Sequence, residues 1–275
     1  MATVDYGYLR EVVRGRSHNI LDPSRDDLLE MRLAKLVRNQ GMSDLRELVD
    51  HVRRTRDASL EFAIADAMTI NETSFFRDRR PFELLRNELL PALMEARKTQ
   101  RTLRLWSAAS STGQEAYSLA MMIREHFPQL GQWNVRVEGT DICDEVVKRA
   151  SEGRYLRIEV NRGLPARNLI LFFDQVGADW VIKPEIREMC HFRKANLCVP
   201  PLPFSQKFDV IFLRNVMLYF GPETRRTLMA EVHRLLAPDG VLFLGSTEQP
   251  ADLSLWKPAL AGGTCYFQPL PQRKK

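Results

Sequence analysis

The sequence predicts an α/β protein with a doubly wound parallel sheet, preceded by an all-helical region and interrupted by a small antiparallel insertion. Three observations predict this class. Short apolar runs alternate with helical patterns from residue 102 onward, as in a parallel sheet whose strands are joined by helices. Residues 1–69 show helical periodicity instead. Residues 153–192 break the alternation with short strand-like runs.

The clearest single unit is a strand, a turn of small residues and a helix. Leu103–Trp106 is a short apolar run, seven small residues follow it from Ser107 to Gly113, and a helical pattern begins at Gln114. This order opens a doubly wound nucleotide-binding sheet. Small side chains there let a ligand approach the backbone, and the N-terminus of the helix faces that ligand.

The residues of this turn limit the ligand that it could bind. Gly113 is its only glycine, so the turn is not a dinucleotide fingerprint, and no Lys-Ser or Lys-Thr pair makes it a P-loop. The turn offers hydroxyl groups and, at the start of the helix, the carboxylate of Glu115. Those groups suit a ligand with ribose hydroxyls and positive charge, such as S-adenosylmethionine. A tight strand-to-helix turn without a ligand is the alternative.

A second acidic residue follows the second predicted strand. Val135–Thr140 is the second predicted strand, and it ends in Asp141. An acidic residue at the tip of the second strand commonly receives ribose hydroxyls in this class of sheet. The alternative role of Asp141 is to cap the following helix.

Residues 1–69 are predicted to form helices with a basic face. Asp5 is placed to cap the first helix, and Asp22 followed by Pro23 predicts the start of the second. The arginines of this region are interleaved with acidic residues, so their ordinary role is to solvate a helix face. A basic face could also dock an acidic helical partner. The arginines considered for docking are Arg46, Arg53, Arg54 and Arg56.

Composition excludes several classes of function. The net charge of +5 permits an acidic protein partner, but no basic stripe with interleaved aromatic residues predicts nucleic-acid binding. The four cysteines form no C-x-x-C pair, so we expect buried thiols, a reducing compartment and no metal site. We find neither a signal peptide before the first helix nor an apolar run long enough to cross a bilayer. We therefore expect a cytoplasmic protein without membrane insertion. We also expect it to be a monomer.

The segment MTINETSFFRD (68–78) joins the helical region to the predicted sheet. It is polar, then doubly aromatic, then basic, which is unusual for a linker that only has to turn. The alternative is a capped loop in which Phe75 and Phe76 anchor the chain in the core.

The later part of the chain contains the predicted insertion and the last strands. We expect the insertion to contain three short antiparallel strands. These are Leu169–Phe173, Trp180–Ile182 and Met189–Phe192. Two late strands, Val241–Gly245 and Thr264–Phe267, have no helical pattern between them, so we expect them to close the sheet as a hairpin.

Six segments, by their order and spacing, resemble the CheR-type chemotaxis receptor methyltransferases, which are protein-glutamate O-methyltransferases. The segments are MTINETSFFRD (68–78), LWSAASSTGQEAYSLA (105–120), GTDI (139–142), KANL (194–197), FDVIFLRNVMLYF (208–220) and LAPDGVLFLGSTE (236–248). The resemblance implies methyl transfer from S-adenosylmethionine to glutamate side chains of the chemoreceptor cytoplasmic bundle. The products would be glutamate methyl esters and S-adenosylhomocysteine, for adaptation in chemotaxis.

The resemblance also implies a division of the chain. Residues 1–69 would be an N-terminal helical domain and 70–98 a linker loop and helix. Residues 99–275 would be a class I, Rossmann-like methyltransferase domain that contains the β-subdomain at about 153–192. The connection between Phe173 and Trp180 is compact and has one glycine, Gly177, so we expect this subdomain not to bind a receptor C-terminal peptide.

Carried over by position, the resemblance implies a cofactor site. Glu115 would face the methionine end, Asp141 would bind the ribose, and Arg214 with Asn215 would complete the pocket. The implied cofactor contacts are Asn71, Thr73, Arg77, Glu115, Asp141, Asn196, Leu197, Arg214 and Asn215. Members of the family often have two glutamates after the glycine, whereas here Gln114 precedes Glu115.

The implied reaction requires no general base. A glutamate with a pKa of about 4.3 is already ionised at neutral pH. The five histidines lie outside the six segments, in agreement with this chemistry. Tyr219 is a candidate for orienting the substrate, and its alternative role is that of a core aromatic residue beside Phe220. Two rival functions are an S-adenosylmethionine-binding sensor or scaffold without transferase activity, and a methyltransferase of another substrate.

Overall fold

The computed structural model describes residues 4–69 and 71–271. The described residues divide into two compact units. The first contains residues 4–69 and Leu218–Arg225. The second contains the described residues of 71–217 and 226–271. No helix in these residues is long and apolar enough to cross a membrane.

The first unit is built on four helices. They are α1 (Tyr6–Ser17), α2 (Asp26–Asn39), α3 (Leu45–Thr55) and α4 (Ala58–Ala67). Their apolar faces meet in one core, in which Leu9, Leu33, Leu48 and Ile64 are completely buried. The Asp5 carboxylate accepts a hydrogen bond from the Tyr8 N–H (2.9 Å), so the predicted cap of the first helix is present.

The predicted start of the second helix is wrong. The helix begins at Asp26, and the Asp22 carboxylate instead accepts a hydrogen bond from the Ser24 N–H (2.9 Å) in the turn before it. An aspartate before a proline can cap a turn as well as a helix, because both leave an N–H two residues later without a backbone acceptor.

The second unit contains ten strands in two sheets. The strands are β1 (Thr102–Ala108), β2 (Asn134–Asp141), β3 (Arg154–Leu156), β4 (Phe173–Val176), β5 (Asp179–Ile182), β6 (Cys190–Lys194), β7 (Phe208–Leu213), β8 (Leu236–Leu244), β9 (Trp256–Ala261) and β10 (Thr264–Pro269). The main sheet has the order β6-β2-β1-β7-β8-β10-β9. Its first five strands are parallel, β10 is antiparallel to β8, and β9 is antiparallel to β10. The predicted doubly wound α/β fold is confirmed.

The remaining helices join and flank these strands. They are α5 (Arg80–Leu84), α6 (Leu90–Arg97), α7 (Gln114–His126), α8 (Asp144–Glu152), α9 (Arg157–Val160), α10 (Ala166–Phe172), α11 (Pro184–Arg187) and α12 (Pro222–Leu235). A π-helical turn, Leu85–Leu89, connects α5 to α6.

The strand order places a crevice at the centre of the main sheet. From β1 the chain continues to β2 and β6 on one side, whereas β7 and β8 lie on the other. Every residue of β7 is buried, which explains its uninterrupted apolar sequence FDVIFL. Ligands of doubly wound sheets bind where the strand order reverses, beyond the carboxyl ends of the strands. In this chain, that place is between the tips of β1 and β7.

The antiparallel insertion is present, but two of its three predicted strands are wrong. The small sheet has the order β3-β5-β4. Leu169 to Phe172 belong to α10, because a short apolar run fits a buried helix as well as a strand. Cys190–Lys194 is the edge strand of the main sheet, with Val137 of β2 opposite Cys190. The insertion therefore lies within the crossover between parallel strands β2 and β6, and such a crossover can contain many residues.

The predicted late hairpin is also corrected. β10 pairs with β8 as expected, but β9, which the sequence analysis missed, forms the hairpin with β10. Its sequence WKPALA contains Pro258, and proline is found on edge strands because it has no N–H to donate. β9 is indeed an edge strand of the main sheet, at the opposite edge from β6.

The loop that contains Gly163 lies very close to the loop that contains Phe75, and a substitution at Gly163 tests this approach. The φ of Gly163 is +87°, and a Cβ at this position would lie 2.2 Å from the Phe75 carbonyl oxygen. Gly177 has a φ of +65° and nothing within 4 Å of the same virtual atom. Left-handed backbone costs alanine about 1–2 kcal/mol at either position. We expect Gly163→Ala to lower the free energy of unfolding by about 2 kcal/mol more than Gly177→Ala, since the clash adds to that cost. Urea unfolding measures both, and equal losses would contradict the close approach.

Candidate functional site

The turn after β1, residues 109–113, is joined to the tip of β2 by hydrogen bonds from two of its backbone N–H groups. The Ser110 N–H donates to the Thr140 carbonyl (2.8 Å), and the Ser111 N–H donates to the Asp141 carboxylate (2.8 Å). Ala109 and Ser111 adopt left-handed backbone, with φ values of 55° and 49°. The turn therefore bends sharply around the end of β2, and its small residues allow this bend.

Asp141 is buried, with 6% of its surface exposed. Burial raises the pKa of its carboxyl, while hydrogen bonds from the N–H groups of Cys143 and Ser111 act in the opposite direction. The Cys143 contact (3.1 Å) closes a turn before α8, whose N-cap is Cys143 and which has no side-chain cap, so the alternative capping role of Asp141 is wrong. No cationic side chain pairs with it among the residues that the structure describes. A carboxylate held only by N–H groups keeps lone pairs that a vicinal diol can use.

Arg214 lies directly after β7, and its side chain is only 2% exposed. One terminal nitrogen donates to Glu115 (2.9 Å), and the other donates to the Arg77 carbonyl (3.1 Å) and forms an ion pair with Asp78. Glu115 also accepts a hydrogen bond from the Ser107 hydroxyl (2.8 Å). One guanidinium thus holds together the end of β7, the start of α7 and the segment before α5.

Arg214, Glu115 and Asp78 form a cluster, the Arg214 cluster, whose net charge favours binding of a cation. Two carboxylates, Glu115 and Asp78, surround one guanidinium, so the cluster carries one net negative charge. Glu115 is mostly buried, with 12% of its side chain exposed, and charges interact more strongly where water is excluded. An ammonium or sulfonium group is the kind of ligand group that this balance attracts.

The segment before α5 lies along α7 and the turn after β1. The Asn71 carbonyl accepts a hydrogen bond from the Ser111 hydroxyl (2.8 Å), and the Phe76 N–H donates to the Ser118 hydroxyl (2.9 Å). Phe75 is completely buried and packs edge-on against Tyr155, with ring centroids 5.1 Å apart. Phe75 therefore anchors this segment in the core, as the alternative interpretation of the segment predicted. This anchor places the polar residues before Phe75 beside the turn after β1.

The predicted residues after β6 lie beside the tip of β2. The Ala195 N–H donates to the Asp141 carbonyl (2.8 Å). Asn196 and Leu197 follow at once, with Leu197 buried and the Asn196 side chain accepting a hydrogen bond from the Cys198 N–H (3.0 Å). The structure therefore brings this pair close in space to Asp141.

Glu248, which the sequence analysis did not select, shapes the turn after β7. One of its carboxylate oxygens accepts hydrogen bonds from the N–H groups of Asn215 (2.6 Å) and Gly245 (2.8 Å). The other accepts from Val216 (3.0 Å) and Met217 (2.8 Å). This arrangement holds Asn215 in left-handed backbone, with a φ of 59°. The sequence signal that could have identified Glu248 is its position shortly after β8, the strand next to β7.

Thr73 and Tyr219 stand apart from these contacts. Thr73 is half-buried in the segment before α5. Tyr219 ends the short 3-10 helix Met217–Tyr219 and belongs to the first unit, where its carbonyl accepts a hydrogen bond from the Ile20 N–H (3.0 Å). Its orienting role stays a prediction.

The polar groups of the crevice fit an adenosyl ligand with a cationic tail. Ser110 Oγ and Arg214 Nε are buried and have no hydrogen-bond partner among the described residues. Asp141 offers free acceptor capacity, and the Arg214 cluster carries net negative charge. No group of three metal-ligating side chains occurs in residues 4–69 and 71–271.

The fold and the crevice define a class I S-adenosylmethionine-dependent methyltransferase. Residues 71–261 match the model of the CheR methyltransferase S-adenosylmethionine-binding domain. The chain is 39% identical over 251 residues to chemotaxis protein methyltransferase 1 of Pseudomonas aeruginosa, covering 90% of each chain. It is 36% identical over 239 residues to chemotaxis protein methyltransferase 1 of Vibrio cholerae, covering 86% of this chain and 85% of that one. The chain therefore belongs to the CheR methyltransferase family, as the sequence predicted, and is a chemotaxis methyltransferase that uses S-adenosylmethionine.

Among solved structures, the DhpI–S-adenosylhomocysteine complex matches 71% of this chain and 75% of its own, with 15% identity and a TM-score of 0.31. A likeness this weak adds nothing to the assignment, which rests on the sequence family.

Glu248→Gln tests the turn after β7. The amide nitrogen cannot accept, so two of the four N–H groups lose their partner, each at a cost of about 1–3 kcal/mol. We expect a loss of about 3 kcal/mol in the free energy of unfolding, and a Kd for S-adenosylhomocysteine that rises roughly tenfold as Asn215 moves. Calorimetry and urea unfolding measure these changes. Glu188→Gln, at an exposed position, is the control and should change stability by less than about 0.5 kcal/mol. If Glu248→Gln has the wild-type stability and the wild-type Kd, the turn after β7 does not depend on the Glu248 carboxylate.

Proposed function

We propose that this protein transfers methyl groups to glutamate side chains of the cytoplasmic helical bundle of chemoreceptors. The products are glutamate methyl esters and S-adenosylhomocysteine, and the protein acts as a cytoplasmic monomer. Membership of the CheR family carries this proposal. The crevice supports it, because none of the site residues described above is a histidine, and an ionised glutamate needs no general base.

We also propose how the site residues divide the ligand. Asp141 accepts the ribose hydroxyls, and Glu115 receives the ammonium of the methionine end. Asn196 and Leu197 contact the adenine, and the remaining contacts come from two segments. Those contacts are Asn71, Thr73, Arg77, Arg214 and Asn215. Support comes from the hydrogen bonds that place Asn71, Ala195 and Ser111 around the tip of β2.

S-adenosylmethionine, when bound, supplies an electrophilic methyl group on a positively charged sulfur. The task of the protein is alignment and exclusion of water, since no proton has to be moved. The carboxylate and the sulfonium both lose charge in the transition state. Strong hydrogen bonds to the attacking carboxylate would therefore stabilise the ground state more than the transition state. In this proposal Tyr219 orients that carboxylate, and the Arg214 guanidinium, which is already paired with Glu115 and Asp78, does not compete for it.

We keep the domain division of 1–69, 70–98 and 99–275 as part of the proposal. Its first boundary is supported by the two compact units, because residues 4–69 fall in one unit and residues 71–217 in the other, although Leu218–Arg225 groups with the first. The turn between β4 and β5 contains only Gly177 and Ala178, which supports the proposal that the small sheet does not bind a receptor peptide.

Carboxyl methylation has a chemical signature that tests the proposed function. The purified protein is incubated with methyl-labelled S-adenosylmethionine and a receptor cytoplasmic fragment, and mild base then releases label as methanol. Asp141→Asn should raise the Kd for S-adenosylhomocysteine about 10- to 100-fold, because hydrogen bonds to a charged acceptor are worth about 1.5–3 kcal/mol. Labelling by this variant should fall at limiting cofactor and recover at saturation.

Other outcomes identify the rival functions. Base-stable label would point to another acceptor group. S-adenosylhomocysteine binding without label on any receptor fragment would favour a sensor or scaffold.

We further propose that the first unit docks the receptor through Arg46, Arg53, Arg54 and Arg56. Arg53 already pairs with Asp5 (2.5 Å) and lies over the Tyr8 ring (4.6 Å), and Arg46 lies 3.9 Å from Asp44. Arg54 and Arg56 are exposed. These two arginines are therefore the more available charges for an acidic helix.

Charge reversal tests this docking face. Arg54→Glu with Arg56→Glu should raise the KM for the receptor fragment roughly tenfold and reduce its dependence on salt, because charge steering is screened by ions. The affinity for S-adenosylhomocysteine should not change. Arg46→Glu makes the same charge change as Arg54→Glu alone and should have a smaller effect than that single variant, since Asp44 lies near Arg46. If none of these variants changes the KM for the receptor fragment, docking through these arginines is contradicted.

A further inference from the structure

A basic cleft lies in the second unit, on the loop before α5. It has a volume of about 670 Å³ and is lined by the loop from Ser74 to Arg80 together with Glu83, Arg162 and Gly163. Four of its lining residues are arginines, namely Arg77, Arg79, Arg80 and Arg162. We call this feature the arginine cleft.

The loop that forms the cleft is held in an unusual conformation. Phe76, Asp78 and Arg79 all have left-handed backbone, with φ values of 48°, 64° and 43°. Each costs a non-glycine residue free energy, and such residues collect at functional sites, where the surrounding structure holds them in place. Here Phe75 is buried in the core, and Gly163 approaches its carbonyl so closely that only glycine fits.

The cleft has more positive charge than its own residues neutralise. Its Asp78 carboxylate already pairs with the buried Arg214, and Arg162 pairs with Glu72. Arg79 and Arg80 are exposed and have no ion pair within the described part of the chain. Glu83 is the other acidic lining residue. Two guanidinium groups are thus available to an anionic partner.

The cleft is next to the crevice at the sheet centre. Asp78 lines the cleft and pairs with Arg214, while the Arg77 carbonyl accepts from the same guanidinium. Arg214 in turn holds Glu115, which lies at the start of α7. Asp78 in the cleft and Glu115 are therefore linked through one shared guanidinium.

We propose that the arginine cleft binds acidic side chains of the protein substrate that flank the methylated glutamate, with Arg79 and Arg80 as specificity-determining residues. This inference rests on the proposed function. The cleft attracts carboxylates, whereas the Arg214 cluster beside it carries net negative charge and favours the sulfonium. This separation of charge directs an acidic segment toward the cleft and leaves the cationic cofactor in the crevice.

The double variant Arg79→Glu with Arg80→Glu tests the cleft. We expect the KM for a receptor fragment to rise roughly tenfold, with a weaker salt dependence and an unchanged Kd for S-adenosylhomocysteine. Arg136→Glu, which makes the charge change of one of these two substitutions, is the control away from the cleft, because Arg136 is exposed near the start of β2, at the opposite end of the strand from Asp141. The lysine pair, Arg79→Lys with Arg80→Lys, keeps the charge and should retain most of the wild-type affinity for the fragment.

The outcomes separate this inference from the function on which it rests. If the wild type methylates the fragment and the glutamate pair has the KM of Arg136→Glu, the cleft proposal is overturned and the function stands. If the wild type methylates no receptor fragment, the proposed function fails and the cleft proposal fails with it. If the glutamate pair does not fold, Arg79→Gln with Arg80→Gln replaces it, with an expected rise in KM of about threefold.

Discussion

The buried guanidinium of Arg214 is the interaction on which the arrangement of the crevice depends. A charge with 2% of its side chain exposed must be paired, and Arg214 takes its partners from Glu115, Asp78 and the Arg77 carbonyl. Those partners belong to the start of α7 and to the loop before α5. The end of β7 therefore fixes both neighbouring segments. Loss of one partner would leave charge buried without compensation, so the segments keep their places together.

Three carboxylates near the strand tips show how environment separates the roles of one chemical group. Glu115 is paired with a cation and contributes to a net negative cluster. Asp141 is held by N–H groups alone, and burial raises its pKa. Glu248 uses both oxygens to accept four backbone N–H groups and shapes the turn that carries Asn215. The first two have capacity for a ligand, whereas the third supports the backbone around it.

The parts that the sequence predicts well are those with local signals. The apolar run of β1 and β7, the small-residue turn and the acidic tip of β2 all follow from patterns within a few residues. Glu248 was missed because three of its four partners, Asn215, Val216 and Met217, are 31 to 33 residues away, and no local pattern records such contacts. Leu169 to Phe172 were assigned to a strand for a similar reason, since only packing decides between helix and strand in a short apolar run. β9 was missed because its proline obscured an edge strand.

We infer that the crevice between β1 and β7 holds the cofactor between Asp141 and the Arg214 cluster. A crystal structure of the protein with S-adenosylhomocysteine bound is the most direct measurement. We expect ribose hydroxyls within hydrogen-bond distance of the Asp141 carboxylate and the ligand's amino group beside Glu115, with Arg214 still paired to Asp78. A ligand bound elsewhere, or one whose ribose does not contact Asp141, would contradict this inference.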